Sequence, residues 1–142
     1  MTRVDFYILK ENAPGNRYTL ACRIAEKAWR QGHRVLIHAG GIDEARHMDR
    51  LLWTFREQSF IPHGLLGQVD AGINPVLIGH GNESPQEHEV LINLAPEPPT
   101  FLGQFERIAE LIDNDPQYRK QGRMRFRFYR EHGYPLNTHE IA

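Results

Sequence analysis

The chain has 142 residues, 40% of them hydrophobic and 25% charged, with a formal net charge of −1. That size and balance fit one domain over residues 1–142 built on one core, and exclude a disordered chain. No apolar run approaches the roughly 20 residues of a membrane helix, the opening MTRVDFYILK lacks the apolar stretch and cleavage site of a signal peptide, and Cys22, the single cysteine, has no partner for a disulfide. A cytoplasmic protein without membrane contact is expected.

The first strand is expected at RVDFYIL, where β-branched and aromatic residues lie between polar ones. NRYTLACRIAEKAWRQGH then shows helical spacing through Leu20, Ile24 and Ala28 and ends at Gly32. HRVLIHA is a compact apolar run suited to a buried parallel strand, and GGIDEARHMDRLLWTFRE supplies a turn, Asp43 as the expected N-cap, and a second helix. Two more short buried strands follow at PVLIG and EVLINL, separated by the polar HGNESPQEHE. FERIAELID does not settle its own period; a fifth strand with a helical lead-in is the preferred reading. The last helix runs from about Asp115 to His132 and stops at Gly133. Nothing in the sequence assigns the residues beyond it. This order predicts a single-domain α/β fold, a mostly parallel central sheet with helices on both faces.

The strand leading into AGGIDEA resembles a phosphate-binding turn, but neither a P-loop nor a G-x-G-x-x-G pattern is present, and Asp43 at the helix start would repel a phosphate. A capped turn is the better reading there. Eight histidines include no pair at i,i+4 spacing, and His88 between Glu87 and Glu89 lies in an acidic loop. Ser59 and Ser84 lack a nucleophile context, and Cys22 falls within a helix, where a buried inert thiol is the default. No catalytic constellation, metal site or cofactor is expected.

The charge is distributed unevenly. Residues 1–117 sum to −5 and residues 118–142 to +4, with six Lys or Arg in the last helix. At about 100° per residue, Arg119, Arg123, Phe126 and Arg130 share one narrow stripe, with Arg127 on its flank; Met124 and Phe128 point elsewhere and are the expected core residues. The stripe is open to three readings: a solvated face, contact with nucleic acid, and capture of an acidic peptide ending in an apolar residue. The last matches both the cations and the aromatic among them, while nucleic acid could also use arginines for phosphates and the ring for stacking, against the −5 of the body. A second concentration of aromatics, LLWTFREQSFIPHGL, carries Trp53, Phe60 and Pro62 and divides between core and protein interface.

These segments, in the order FY-L, A-K-W--GHRVLI, LLWTF---SFIPHGL, PVLIG, LINL, IDND and R-RFYREHGYPLNTH, resemble the chi subunit family of bacterial DNA polymerase III holoenzyme across nearly the whole chain. The resemblance implies a non-catalytic accessory subunit of a complex with DNA-directed DNA polymerase activity, with a topology like that of a nucleotide-binding domain but without a nucleotide site. Such a subunit forms a heterodimer with the psi subunit, reaches the clamp loader through psi, and binds the acidic, Phe-terminated C-terminal tail of single-stranded DNA-binding protein. It meets DNA mainly indirectly. The family's tail-binding positions map onto Arg119, Arg123, Phe126, Arg127 and Arg130; the first and fourth are often Lys and the third often Tyr in the family, so Phe126 lacks a hydroxyl at that place. The psi-facing surface maps onto Phe60, with Trp53 and Pro62. The rival readings are a direct single-stranded nucleic-acid binder and a nucleotide-binding enzyme using the AGGIDEA turn.

Overall fold

The apolar runs do not alternate with polar residues, so their strands need cover on both faces. The computed structural model, which describes residues 2–57, 60–83 and 85–142, supplies it. In chain order the elements are β1 (Arg3–Leu9), α1 (Arg17–Arg30), β2 (Val35–Ala39), α2 (Ile42–Thr54), β3 (His63–Leu65), β4 (Val76–His80), β5 (Val90–Asn93), β6 (Arg107–Ile112), α3 (Pro116–Glu131) and β7 (Leu136–Ile141), with one 3₁₀ turn at Leu102–Gln104. All strands join one sheet in the order β3-β4-β2-β5-β6-β1-β7, and every pairing is parallel.

Successive strand residues point to opposite faces, and the two halves of the core follow that alternation. Val35, Ile37, Val90, Ile92, Ala109 and Leu111 pack with Leu20, Ala21, Cys22 and Ala25 of α1 and Met48 and Leu52 of α2. On the other face Phe6, Leu36, Leu91, Ile108 and Ile112 meet Tyr129 of α3 and the Phe101–Phe105 stretch. FERIAELID resolves as preferred, a strand preceded by the 3₁₀ turn.

The helix ends follow local chemistry. Asn16 caps α1, its Oδ1 accepting from the backbone amides of Tyr18 and Thr19 at 3.0 and 3.1 Å, while Thr19 Oγ1 accepts from the Asn16 amide. Gly32, at φ +87°, ends it. The expectation for α2 needs correction: Gly41 is the N-cap, without a side-chain bond, and Asp43 lies inside the first turn. Glu44 does the capping work instead. Its Oε1 accepts from the Gly40 amide at 2.6 Å and its Oε2 from the Tyr18 hydroxyl at 2.6 Å. A carboxylate of the chain itself thus occupies the place where a phosphate would have to sit.

The sequence did not reveal two strands, β3 and β7, and both are sheet edges. An edge strand is covered by fewer neighbours and needs no continuous apolar run. The β7 sequence LNTHEI accordingly has four exposed central residues.

Cys22 is fully buried, and desolvation, reinforced by Glu26, pushes its thiol up to about 12. The native protein should therefore resist a disulfide reagent near pH 8 and react only when unfolded; rapid labelling without denaturant would contradict this packing.

Candidate functional site

Helix α3 begins at Pro116, whose fixed φ suits the first helical position. Asp115 caps it, accepting from the amides of Gln117 and Tyr118 at 3.0 and 3.3 Å. The inward line is Tyr118, Gly122, Arg125 and Tyr129, a line at helical spacing that contains one of the six cations. Arg125 is 1% exposed. Its Nε donates to Glu110 Oε1 at 2.8 Å and its Nη1 to the Pro96 carbonyl at 3.1 Å. Tyr129 and Asn93 donate to Glu110 Oε2 at 2.7 and 2.9 Å. Burial pushes the Glu110 carboxyl above the usual carboxylate range, and these donors pull against it. The same burial, with Glu110 beside it, pushes the Tyr129 hydroxyl far above the ordinary tyrosine value.

This placement corrects the expected core face. Met124 is 67% exposed, and Phe128 is only partly buried against the α3-side core. A hydropathy pattern assigns Met inward and Arg outward; the buried carboxylate on β6 reverses that order.

With Arg125 turned in, Arg119, Arg123, Phe126, Arg127 and Arg130 lie along the outer side. Arg119, Arg123 and Phe126 line a hollow of about 340 Å³ together with Phe6, Ile8, Ile112 and Gly122. Phe126 rests edge-on against Phe6, with ring centroids 5.2 Å apart. Arg119 is tethered, its Nη1 donating to the Asp113 carbonyl at 2.9 Å and to Asn114 Oδ1 at 3.3 Å. Arg123, Arg127 and Arg130 are exposed and form no ion pair among the described residues. Arg127 and Arg130 share the flank but do not line the hollow. The floor, Phe6, Ile8 and Ile112, was not anticipated. Its one signal in the sequence is Gly122 in mid-helix, where a Cβ would overlap Ile112; the missing side chain lets α3 approach β6 beside the hollow.

The second aromatic concentration is also exposed. Trp53 at the end of α2 is 58% exposed and Phe60 76%; Pro62 beside them is exposed, while Ile61 points into the core. These residues flank β3, five strand spacings from β1, or about 24 Å at the usual interstrand distance. The two candidate surfaces therefore lie toward opposite edges of the sheet.

The rival sites are occupied by the chain itself. Glu44 fills the AGGIDEA turn, and Asp113, at the carboxyl end of β6, accepts from the backbone amide and guanidinium of Arg17 at 3.0 and 3.1 Å. Glu87 pairs with Arg34 at 2.8 Å and Glu89 accepts from the Arg34 amide, which uses the carboxylates beside His88. No group of three or more metal-ligating side chains occurs among the described residues. Ser59 and Ser84 lie outside the described residues. No described helix is long and apolar enough to cross a membrane.

A family model described as DNA polymerase III chi subunit, HolC, matches residues 1–137. The chain belongs to that family. It is 45% identical over 141 residues to the DNA polymerase III subunit chi of Pseudomonas aeruginosa, covering 99% of this chain and 98% of that one. It is 33% identical to the subunit chi of Haemophilus influenzae, with 97% and 96% covered, and 30% identical to that of Escherichia coli, with 97% of each covered. Among solved structures, T4 UvsW shares the fold at a TM-score of 0.63 and 10% identity; the match covers 99% of this chain and 42% of that one. This chi-family member is thus a DNA polymerase III subunit of DNA replication, with an all-parallel α/β fold.

The buried pair and the outer arginines should separate cleanly in stability. Arg125→Ala, which strands Glu110, is expected to cost about 3–5 kcal/mol in denaturant unfolding, whereas Arg123→Ala should change stability by less than about 0.5 kcal/mol. Equal losses would mean that α3 is not oriented as described.

Proposed function

We propose that the protein is a non-catalytic cytoplasmic connector within the replication machinery, binding the acidic C-terminal tail of single-stranded DNA-binding protein at the α3 hollow. The observation that carries this reading is Arg123, which forms no ion pair among the described residues and stands at the rim of an apolar hollow whose lining includes Phe6, Ile8, Ile112 and Phe126. A chain ending in phenylalanine offers the two matching groups at one residue, a ring for the floor and a terminal carboxylate for the guanidinium. Arg119 holds the near side of the hollow, and Arg127 and Arg130 extend the positive field along the helix for upstream acidic residues. Phe126 serves by its ring face alone, so the missing tyrosine hydroxyl removes only a polar contact.

An exposed ion pair contributes about 0–1 kcal/mol, and fully burying a large apolar side chain roughly 1.5–3 kcal/mol. Binding by several such contacts is therefore modest and weakened by salt. Direct DNA binding is the poorer fit, because residues 1–117 carry −5 and repel a polyanion over most of the surface. At the opposite edge, Phe60, Trp53 and Pro62 form the apolar surface for the psi subunit, which links the protein to the clamp loader. The separation of the two surfaces lets both partners bind at once.

A labelled acidic peptide ending in Ile-Pro-Phe should bind saturably in fluorescence anisotropy, weaken with salt, and lose most of its affinity when its carboxylate is amidated. Arg123→Ala and Phe126→Ala should each weaken it more than about tenfold with the fold intact. Single-stranded DNA that binds as tightly without the peptide would contradict the reading. Phe60→Ala should reduce psi association by a similar factor and leave peptide binding unchanged; loss of both activities would instead assign Phe60 a structural role.

A further inference from the structure

The two faces of β1 each contribute to an apolar hollow. Phe6 floors the one beside α3, and Tyr7, the next residue, points to the opposite face. There, between α1 and the β7 edge of the sheet, a second hollow of about 520 Å³ is floored by Tyr7, Leu20, Ile24 and Ile141. Tyr7, Ile24 and Ile141 are only partly buried against the core, so apolar surface remains open in the hollow.

Four cations stand around it. Arg23, Lys27 and Arg30, at i, i+4 and i+7 on α1, form one exposed stripe, and Arg56 reaches it from the segment after α2. Glu26 is the one acidic residue in this lining among the described residues. It is buried, and its carboxylate lies 3.6 Å from Arg30 Nη2 and 2.9 Å from Arg56 Nη1. One carboxylate between two guanidiniums holds both in place but balances the charge of only one. Arg23 and Lys27 form no ion pair among the described residues. Complementing the carbonyls at the end of α1 accounts for Lys27 and Arg30 in its last turn. It does not account for Arg23, a turn earlier, or for Arg56 from another element. Residues 1–117 are net acidic, so a cluster of four cations there is a local exception.

The arrangement favours a peptide over a nucleic acid. Apart from Tyr7 the floor is aliphatic, and the Tyr7 ring is already stacked on His139 with centroids 4.9 Å apart and planes at 20°, which leaves bases little to stack on. It also favours the interior of a peptide over its end. The cations extend along about two turns of α1 and across to Arg56, a spread that matches carboxylates on both sides of an apolar residue. We propose that this hollow docks an internal acidic segment of a protein partner, with a large apolar side chain seated among Tyr7, Ile24 and Ile141 and the flanking carboxylates on Arg23, Lys27, Arg30 and Arg56. The site lies on the face of the sheet opposite the α3 hollow and stands whether or not that hollow binds a tail.

The probe is the peptide Asp-Asp-Phe-Asp-Asp, acetylated and amidated so that it offers no terminal carboxylate to Arg123. Titrated at low salt into the whole isotope-labelled chain, it should shift the backbone amide resonances of α1 between Arg23 and Arg30 and that of Ile141. The same peptide with Ala in place of Phe should bind at least about tenfold more weakly. Arg23→Glu combined with Lys27→Glu should weaken the Phe peptide more than about tenfold. Both positions are exposed and unpaired, whereas removing Arg30 or Arg56 would strand Glu26; continued protection of Cys22 from a disulfide reagent shows that the double variant is folded. Absence of binding, shifts confined to α3, equal affinity for the two peptides, or unchanged affinity in the double variant would each overturn the proposal. A single-stranded oligonucleotide that occupies the same α1 residues more tightly than the peptide would overturn it in favour of nucleic acid. Self-association abolished by the double variant would overturn it in favour of a second copy of the chain.

Discussion

Glu110 is completely buried on β6, and its carboxylate accepts from Arg125, Tyr129 and Asn93. Neither charge of the Arg125–Glu110 pair tolerates burial alone; each is stable inside because the other is there and because further donors and acceptors take up the remaining polar atoms. Two of the three donors belong to α3, at positions 125 and 129, so the network fixes the rotation of the helix as well as its attachment. A turn of the helix by one residue, about 100°, would break both bonds. The outward direction of Arg123 and Phe126 follows from that constraint. The Tyr118 ring extends it, lying between the guanidiniums of Arg125 and Arg17 at 4.5 and 4.0 Å, and Arg17 in turn holds Asp113 next to the cap of α3.

The same economy operates at the carboxyl edge of the sheet. Positive helix ends and free amides there attract anions, and in this chain internal carboxylates meet them: Glu44 at Gly40 and Asp113 at the start of α1. The proposed working surfaces lie on the outside of α3 and beside the β3 edge. Parallel strands of the one sheet lie between them.

Five strands and three helices were legible because their apolar runs and end signals are local: Asn16, Pro116 and the glycines at 32 and 133 act within a turn of where they stand. β3 and β7 were not, since an edge strand can be polar and short; Asp43 was misassigned because Glu44, one residue on, reaches back to Gly40. In the candidate site, periodicity placed the arginines and Phe126 on one stripe, but no element of one helix announces the floor of the hollow beside them, which comes from β1 and β6. Met124, expected in the core, faces outward and Arg125 faces inward for the same reason. A buried arginine is intelligible only when its carboxylate, 15 residues away on another element, is known.

The most direct test of the central claim is a crystal structure of the protein with an acidic peptide ending in phenylalanine. The account predicts the terminal ring in the hollow between Phe126 and Ile112 and the terminal carboxylate on Arg123, with Arg125 still on Glu110. A peptide seated elsewhere, or held in the hollow with its carboxylate directed away from Arg123, would contradict it.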